Sequence, residues 1–531
     1  MVEKTRPLPL GTNDVAGSFW AALDQPLSEW ACVLGWCAAT ALFVLLVAVL
    51  GGPSNIDTVE SMYSTWAIAH GHLSCAFPIV VTHSGSSYEQ PYTSIAPVYP
   101  LVSGGIAALT RIGSHVPFPS AAALGPRCTG GPQAMYQWAL NSRAFGATYD
   151  IGYVGWLFLM AGAIAFMRSV GRGRRGWEPV TLLILACLPP VWSAVGNVFH
   201  PEDLVAMGLV LGGVASAFRK RWAWAGMLLA LAILSQQFAL LVAAPLLVVA
   251  PQTRRLRFLV AGVGTAVCVV VPLLLLHSGK VLRSVTLGSG DSSGVGGTAV
   301  RLLRLHGFLL AGVSRVLPIA LAVLLAWWLL RRLGGSVREP LPLTALIALS
   351  LSLRLVFEEN LHHTYYFMAL AVAILLLDVV RGRVRGIYVA WVLLCTFAYN
   401  AGFSGLFNRV SWRLGASEHL PQALILLGLV VVIADLARGR MRWYLAGWIV
   451  IMVGAFASWP FTNETLRGQL PFLFWQALLV PIGIWLAAGP LVRFVRDQKT
   501  PPADNWRPPM SGLDFPSTSS SASSPPGPAH V

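Results

Sequence analysis

Charge is scarce in this sequence. Only 11% of its 531 residues are Asp, Glu, Lys or Arg, against 56% hydrophobic, and the mean hydropathy is +0.66. A water-soluble globule built from it would lack a polar coat. Acid is scarcer than base, with 22 Asp and Glu facing 37 Lys and Arg for a formal net charge of +15. That excess does not indicate nucleic-acid binding, which needs basic residues on one soluble face with base-stacking aromatics nearby. Here they fall in short tufts between apolar runs, such as Arg172, Arg174 and Arg175, or Arg254, Arg255 and Arg257. Cysteine is also sparse. Seven scattered residues exclude a disulfide scaffold, and no pair has zinc-site spacing. Cys32, Cys37, Cys187, Cys268 and Cys395 lie within apolar runs, where they read as small hydrophobes. There is no internal repeat, which counts against transporter folds built from paired halves. No cleavable signal peptide is expected, since the first apolar run, from about Trp30, is long enough to span and stay.

What the sequence has in quantity is apolar stretches. Backbone polar groups in lipid must be satisfied within their own segment, so spanning helices need runs of roughly 17–25 apolar residues. Placing each basic tuft in the cytoplasm predicts fourteen spans, at about 30–52, 149–167, 178–196, 202–218, 222–235, 237–251, 257–277, 308–330, 340–356, 364–380, 386–400, 420–437, 443–459 and 471–493. Both termini are then inside, and the chain is an all-α polytopic membrane protein, a bundle of about 12–14 spanning helices in the plasma membrane. The fifth and sixth spans are short, but fusing them would put the Arg254 tuft outside. On this path 25 of the 37 Lys and Arg are cytoplasmic, whereas ten of the eleven His are exoplasmic or at that membrane edge. Either the outer face holds the chemistry, or His is the polar filler that positive-inside selection leaves there.

Segment 96–113 is apolar enough to tempt a further span. Counting it would reverse the next helix and expose Arg172, Arg174 and Arg175, so it is read as lying at the outer membrane surface. Residues 53–148 then form one large exoplasmic loop with two interfacial helices, roughly 57–70 and 100–112. This divides the chain into a cytoplasmic segment 1–29, a membrane domain 30–498, and a Pro/Ser-rich cytoplasmic tail 499–531 that is disordered by composition. Cys75 and Cys128 are the only cysteines in outer loops, and an oxidising compartment would let them pair. Mass spectrometry of protein from oxidising membranes should find them joined; two free thiols would remove that pairing.

Candidate chemistry falls at three places. The stretch after the first span carries Asp57 and Glu60, which share a helical face at i and i+3, with Val59, Met62, Tyr63 and Trp66 seating the helix. A carboxylate at the water–lipid boundary suits a general base that deprotonates an acceptor hydroxyl. The same two acids equally fit an N-cap and the third position of a capping box. His200, Glu202 and Asp203 lie at the mouth between two spans. They would bind acceptor hydroxyls or, much less readily, a divalent ion, for which one Glu–Asp pair is meagre; capping again explains Asp203. Arg354 lies within an apolar run, followed by Glu358, Glu359, His362, His363, Tyr365 and Tyr366. An intramembrane Arg needs a cavity or partner, and a lipid phosphate, Glu358 one turn on, or snorkelling would each serve. His362 or His363 would meet a leaving phosphate or an acceptor hydroxyl, but adjacent residues on a helix diverge. Local pairing with an Arg three residues on accounts for Asp378 and Asp435.

The first span, then Asp57 opening an aromatic amphipathic helix to Ala69, then Tyr99-Pro100-Leu101 opening a second one, resembles the first exoplasmic loop of GT-C glycosyltransferases. The run His200-Pro201-Glu202-Asp203-Leu204-Val205-Ala206, a basic turn, Trp224-Ala225-Gly226 and Ser235-Gln236-Gln237 are similar to the pattern of the actinobacterial branch that uses polyprenyl-phosphate mannose. The resemblance covers the first half of the chain well and the second half as topology only. It implies inverting transfer from a polyprenyl-monophosphate sugar to a glycolipid or cell-envelope glycan on the exoplasmic face, with Asp57 as base and no cofactor. Many members carry a basic residue near Gln236 or Gln237; this chain does not. Mannose is the first expectation for the sugar and arabinose the second. The rival reading, a flippase or transporter of lipid-linked sugars, would place polar residues at mid-membrane rather than at the outer ends.

Overall fold

Ser28 starts the first long helix by accepting the Ala31 amide on its hydroxyl at 3.2 Å. In a computed structural model the described residues are 15–50, 64–76, 79–83, 86–90, 97–110, 151–196, 199–287, 309, 312–358, 364–399, 450 and 466–498. The helices are α1 (Val15–Ala22), α2 (Glu29–Leu50), α3 (64–69), α4 (Leu73–Ala76), α5 (Val98–Thr110), α6 (Tyr153–Ser169), α7 (Trp177–Cys187), α8 (Pro189–Gly196) and α9 (Pro201–Phe218). They continue as α10 (Trp222–Ile233), α11 (Leu240–Val249), α12 (Gln252–Leu287), α13 (Leu317–Leu333), α14 (Pro340–Phe357), α15 (Met368–Val380), α16 (Gly386–Tyr399) and α17 (Leu466–Asp497). Among the described residues six helices are long and apolar enough to cross a membrane, or seven if the bent α7–α8 pair is one broken span, and shorter apolar helices of 10–17 residues lie among them. The chain is a helical, multi-pass membrane protein. The predicted spans 420–437 and 443–459 and the tail 499–531 lie outside the described residues.

The structure departs from the predicted elements in three places. The span expected at 178–196 is broken, with α7 and α8 meeting at 53° around Leu188. Pro189 and Pro190 lack an N–H to continue the ladder and push the preceding residue toward extended backbone, and Leu188 sits at φ −65, ψ 117. The span expected at 257–277 lies within a longer helix that is described from Gln252 to Leu287. At 1.5 Å per residue it extends well past the roughly 30 Å of hydrocarbon. The first loop is not helical throughout: strands β1 (Ile79–His83) and β2 (Ser86–Gln90) pair antiparallel, from Ile79↔Gln90 to His83↔Ser86. The β-branched run Ile79-Val80-Val81-Thr82 before Ser84-Gly85 is the sequence signal for it.

The core forms around α15, buried on every side from Met368 to Val379, as expected of a helix apolar all round. Its one acid, Asp378, is held by the Arg385 guanidinium at 2.7 Å and the Arg385 amide at 2.9 Å, with Arg381 at 3.9 Å. Local pairing was expected, but the main partner is seven residues away. Small residues set the closest contact: α6 and α9 meet at Gly162 and Gly208, where a Cβ on either would run into the opposing backbone.

The alternation predicted from the basic tufts is present. At one end Arg172 pairs with Asp24, Arg174 with Glu29, and Arg168 with Glu178. At the other, α5 docks through Val98 N–H to Leu234 O at 3.3 Å, and Thr65 and Ser103 share a hydrogen bond of 2.8 Å that fastens α3 to α5.

Candidate active site

Pro201 opens α9, and its first turn carries Glu202 and Asp203. The capping explanation of Asp203 fails. His200 is the N-cap residue, no side chain caps this helix, and neither Asp203 carboxylate oxygen has a hydrogen-bond partner although the residue is fully buried. Glu202 commits one oxygen to His200, whose Nδ1 lies 2.7 Å away. Its other oxygen is buried and unpartnered. Three buried acceptor atoms in the first turn of α9 therefore have no donor among the described residues, where an unsatisfied polar group costs on the order of 1–3 kcal/mol.

The compensating cation comes from the other side of the bundle. Arg354, in the last turn of α14, is a charged neighbour of Asp203, although the two form no ion pair among the described residues. Its Nε donates to Glu358 at 3.3 Å, and its guanidinium lies 5.0 Å from the Phe238 ring centre and 5.4 Å from that of Tyr366. Of the three readings open for Arg354, the internal pair is formed and snorkelling is not, since the side chain is 14% exposed. Glu358 engages Nε, and among the described residues no hydrogen bond is formed by the terminal nitrogens. Gln476 on α17 donates to Leu355 O at 2.9 Å and fixes the helix end that carries the Arg.

An aromatic ladder joins the two sides. His200 stacks on Tyr365 at 4.6 Å, and Tyr365 stacks on Tyr366 at 4.4 Å. Tyr99, on α5 outside the predicted spans, is buried and donates its hydroxyl to Ile151 O at 3.4 Å. Burial, and after it the Glu202 carboxylate, push the Tyr99 phenol well above its ordinary range, so it remains a donor.

The structure thus brings together Tyr99, His200, Glu202, Asp203, Arg354 and Glu358 from the sequence candidates. Asp57, Glu60, Tyr63, His362 and His363 lie outside the described residues, as does Cys128. The sequence did not single out Phe238, and it offered Tyr365 and Tyr366 only as neighbours in the run after Arg354, because aromatics near span ends read equally well as an interfacial belt. Among the described residues no three His, Cys, Asp or Glu side chains are arranged to hold a metal ion.

Residues 144–358 match glycosyltransferase family 87. The family-87 stretch is about two fifths of the chain and contains His200, Glu202, Asp203, Arg354 and Glu358, so both charged sides of the site fall within it. It supports a membrane glycosyltransferase. No curated protein and no solved structure matches the chain.

Proposed function

We propose that the protein transfers a sugar, mannose before arabinose, from a polyprenyl-monophosphate donor to a glycolipid or envelope-glycan acceptor on the exoplasmic face of the plasma membrane. The observation that carries this reading is that α9 presents three buried carboxylate oxygens with no hydrogen-bond donor among the described residues, while Arg354 on α14, a charged neighbour of Asp203, hydrogen-bonds there through Nε alone. Carboxylates accept from sugar hydroxyls, and a guanidinium edge suits a phosphate. A lipid-linked sugar phosphate presents both groups at the fixed spacing of one glycosidic bond.

In this reading the Arg354 terminal nitrogens hold the donor phosphate and stabilise charge developing on it as the glycosidic bond breaks. Asp203 and the free oxygen of Glu202 orient sugar hydroxyls. Asp57 removes the proton from the acceptor hydroxyl as that oxygen attacks the anomeric carbon from the face opposite the leaving phosphate. Phe238 and Tyr366 hold the guanidinium plane in place. The basic residue that the resemblance expects near Gln236 and Gln237 is then replaced functionally by Arg354, which reaches that segment from another helix.

Purified protein incubated with a panel of polyprenyl-phosphate sugars and candidate glycolipid acceptors should consume one donor selectively. Consumption of none, with transport of intact lipid-linked sugar in vesicles instead, would favour the flippase. Asp203→Asn should leave the melting midpoint unchanged or raised, since the charge removed has no hydrogen bond to lose. It should lower kcat/KM by about ten- to a hundredfold, the equivalent of one charge-assisted hydrogen bond to substrate. Unchanged kinetics in that variant would remove Asp203 from the site.

A further inference from the structure

The end of the bundle opposite the candidate site has two sectors that treat their arginines differently. Around α1, α2, α6, α7 and α15 most of the basic residues meet acids: Arg172 with Asp24, Arg174 with Glu29 at 2.8 Å, Arg168 with Glu178 at 3.1 Å, Arg385 with Asp378 at 2.7 Å. Around α10, α12 and α13 the tufts 219–221, 254–257 and 331–338 form no ion pair with any described carboxylate. Glu339, the acid nearest in sequence, makes none either.

These unpaired tufts are held side by side. Gly226 lets α10 close onto the backbone of Phe258, which sets the turn ending at Arg221 beside the first turns of α12. Arg255 donates to Val248 O at 2.6 Å and to Ala250 O at 3.1 Å, and Arg338 donates to Val249 O at 2.7 Å. Both arginines therefore satisfy free carbonyls at the C-terminus of α11, tying the second tuft to the third. Arg254, Arg257, Arg331 and Arg332 are left exposed around that junction. Positive-inside selection accounts for basic residues at this end; it does not account for pairing in one sector and none in the other.

Among the described residues the same sector also holds the least buried span, α12. Only 11% of the α12 span and 22% of the α13 span is buried. Leu256, Val260 and Val263 on α12 and Leu324, Trp327 and Trp328 on α13 face outward, and the Arg331 guanidinium lies 3.8 Å from the Trp327 ring centre. A cationic ledge that runs directly into an apolar strip matches one kind of molecule, with an anionic head and hydrocarbon tails. We propose that this sector binds anionic phospholipid of the adjoining leaflet, the phosphate on the exposed arginines and the acyl chains along α12 and α13. An acidic protein or a nucleic acid would use the charge and leave the strip without purpose.

Native mass spectrometry of the full-length protein, titrated with phosphatidylglycerol or with phosphatidylcholine of the same chains, tests this without any sugar substrate. Wild type should retain phosphatidylglycerol preferentially. Neutralising Arg254, Arg257, Arg331 and Arg332 to Gln should weaken that retention about tenfold or more, while Arg174→Gln, in the paired sector, should leave it unchanged. Should the fourfold variant not fold, the wild type alone decides, because its preference must shrink as salt rises. Equal retention of the two lipids by wild type, or an unaltered preference in a folded fourfold variant, would overturn the proposal. Binding of heparin at these arginines without a lipid preference would overturn it in favour of a macromolecular partner.

Discussion

Arg354→Gln is expected to lower transfer at least a hundredfold and to destabilise the protein as well. The two losses have separate causes. For transfer, the proposed role of the terminal guanidinium nitrogens is to hold the donor phosphate, and two charge-assisted bonds to a phosphate are worth about 1.5–3 kcal/mol each. For stability, removing one partner of a buried ion pair leaves its carboxylates uncompensated, at a cost of about 3–5 kcal/mol, and here both Glu358 and Asp203 lose their cation. Arg354→Lys separates the effects. It restores charge and most of the stability, but not the fork, nor the flat contact with Phe238 and Tyr366. Its melting midpoint should therefore approach wild type while KM for the lipid donor stays raised. Wild-type KM in a folded Arg354→Lys variant would show that this arginine is structural and does not contact the donor.

The second large effect belongs to Asp57. If its carboxylate is the general base, Asp57→Ala should reduce kcat by about 10²–10⁴, the usual range for a positioned base, with insertion and melting midpoint intact. The loss should fall on kcat with KM for the donor little changed, because the group acts on the acceptor hydroxyl in the transition state. If Asp57 were instead a helix cap, Ala would cost about 0.5–2 kcal/mol of local stability and transfer would survive. Retained kcat would therefore sink the base assignment while leaving the α9–α14 site standing.

Much of this architecture was legible because membranes impose few solutions. Hydropathy and basic tufts located α2, α6, α9, α10, α14, α15 and α16 closely, and their alternation put Glu202 and Arg354 at one end although about 150 residues separate them. Other features depended on local chemistry that hydropathy averages away. The Pro189-Pro190 break and the β-hairpin each had a local signal weaker than the apolar run around it. In the site, residue type suggested which side chains to watch but not their states. Nothing in the spacing of His200, Glu202 and Asp203 distinguishes a capped helix from one with bare carboxylates. That distinction came from three dimensions, as did the stacking of His200 on Tyr365 and the seat of Arg354 over Phe238.

The contact between Gly162 and Gly208 also decides which part of the site can yield. With backbone against backbone and no side chain between them, α6 and α9 have nothing soft to compress, so they act mechanically as one beam. Asp203 and Glu202, a short distance along that beam, are its fixed jaw. The opposite jaw is Arg354 near a helix end, secured by Gln476, Glu358 and two aromatic rings, all of which are side chains that can rotate. In the proposed reaction, room for the donor headgroup would then have to come from the α14 side rather than from α9.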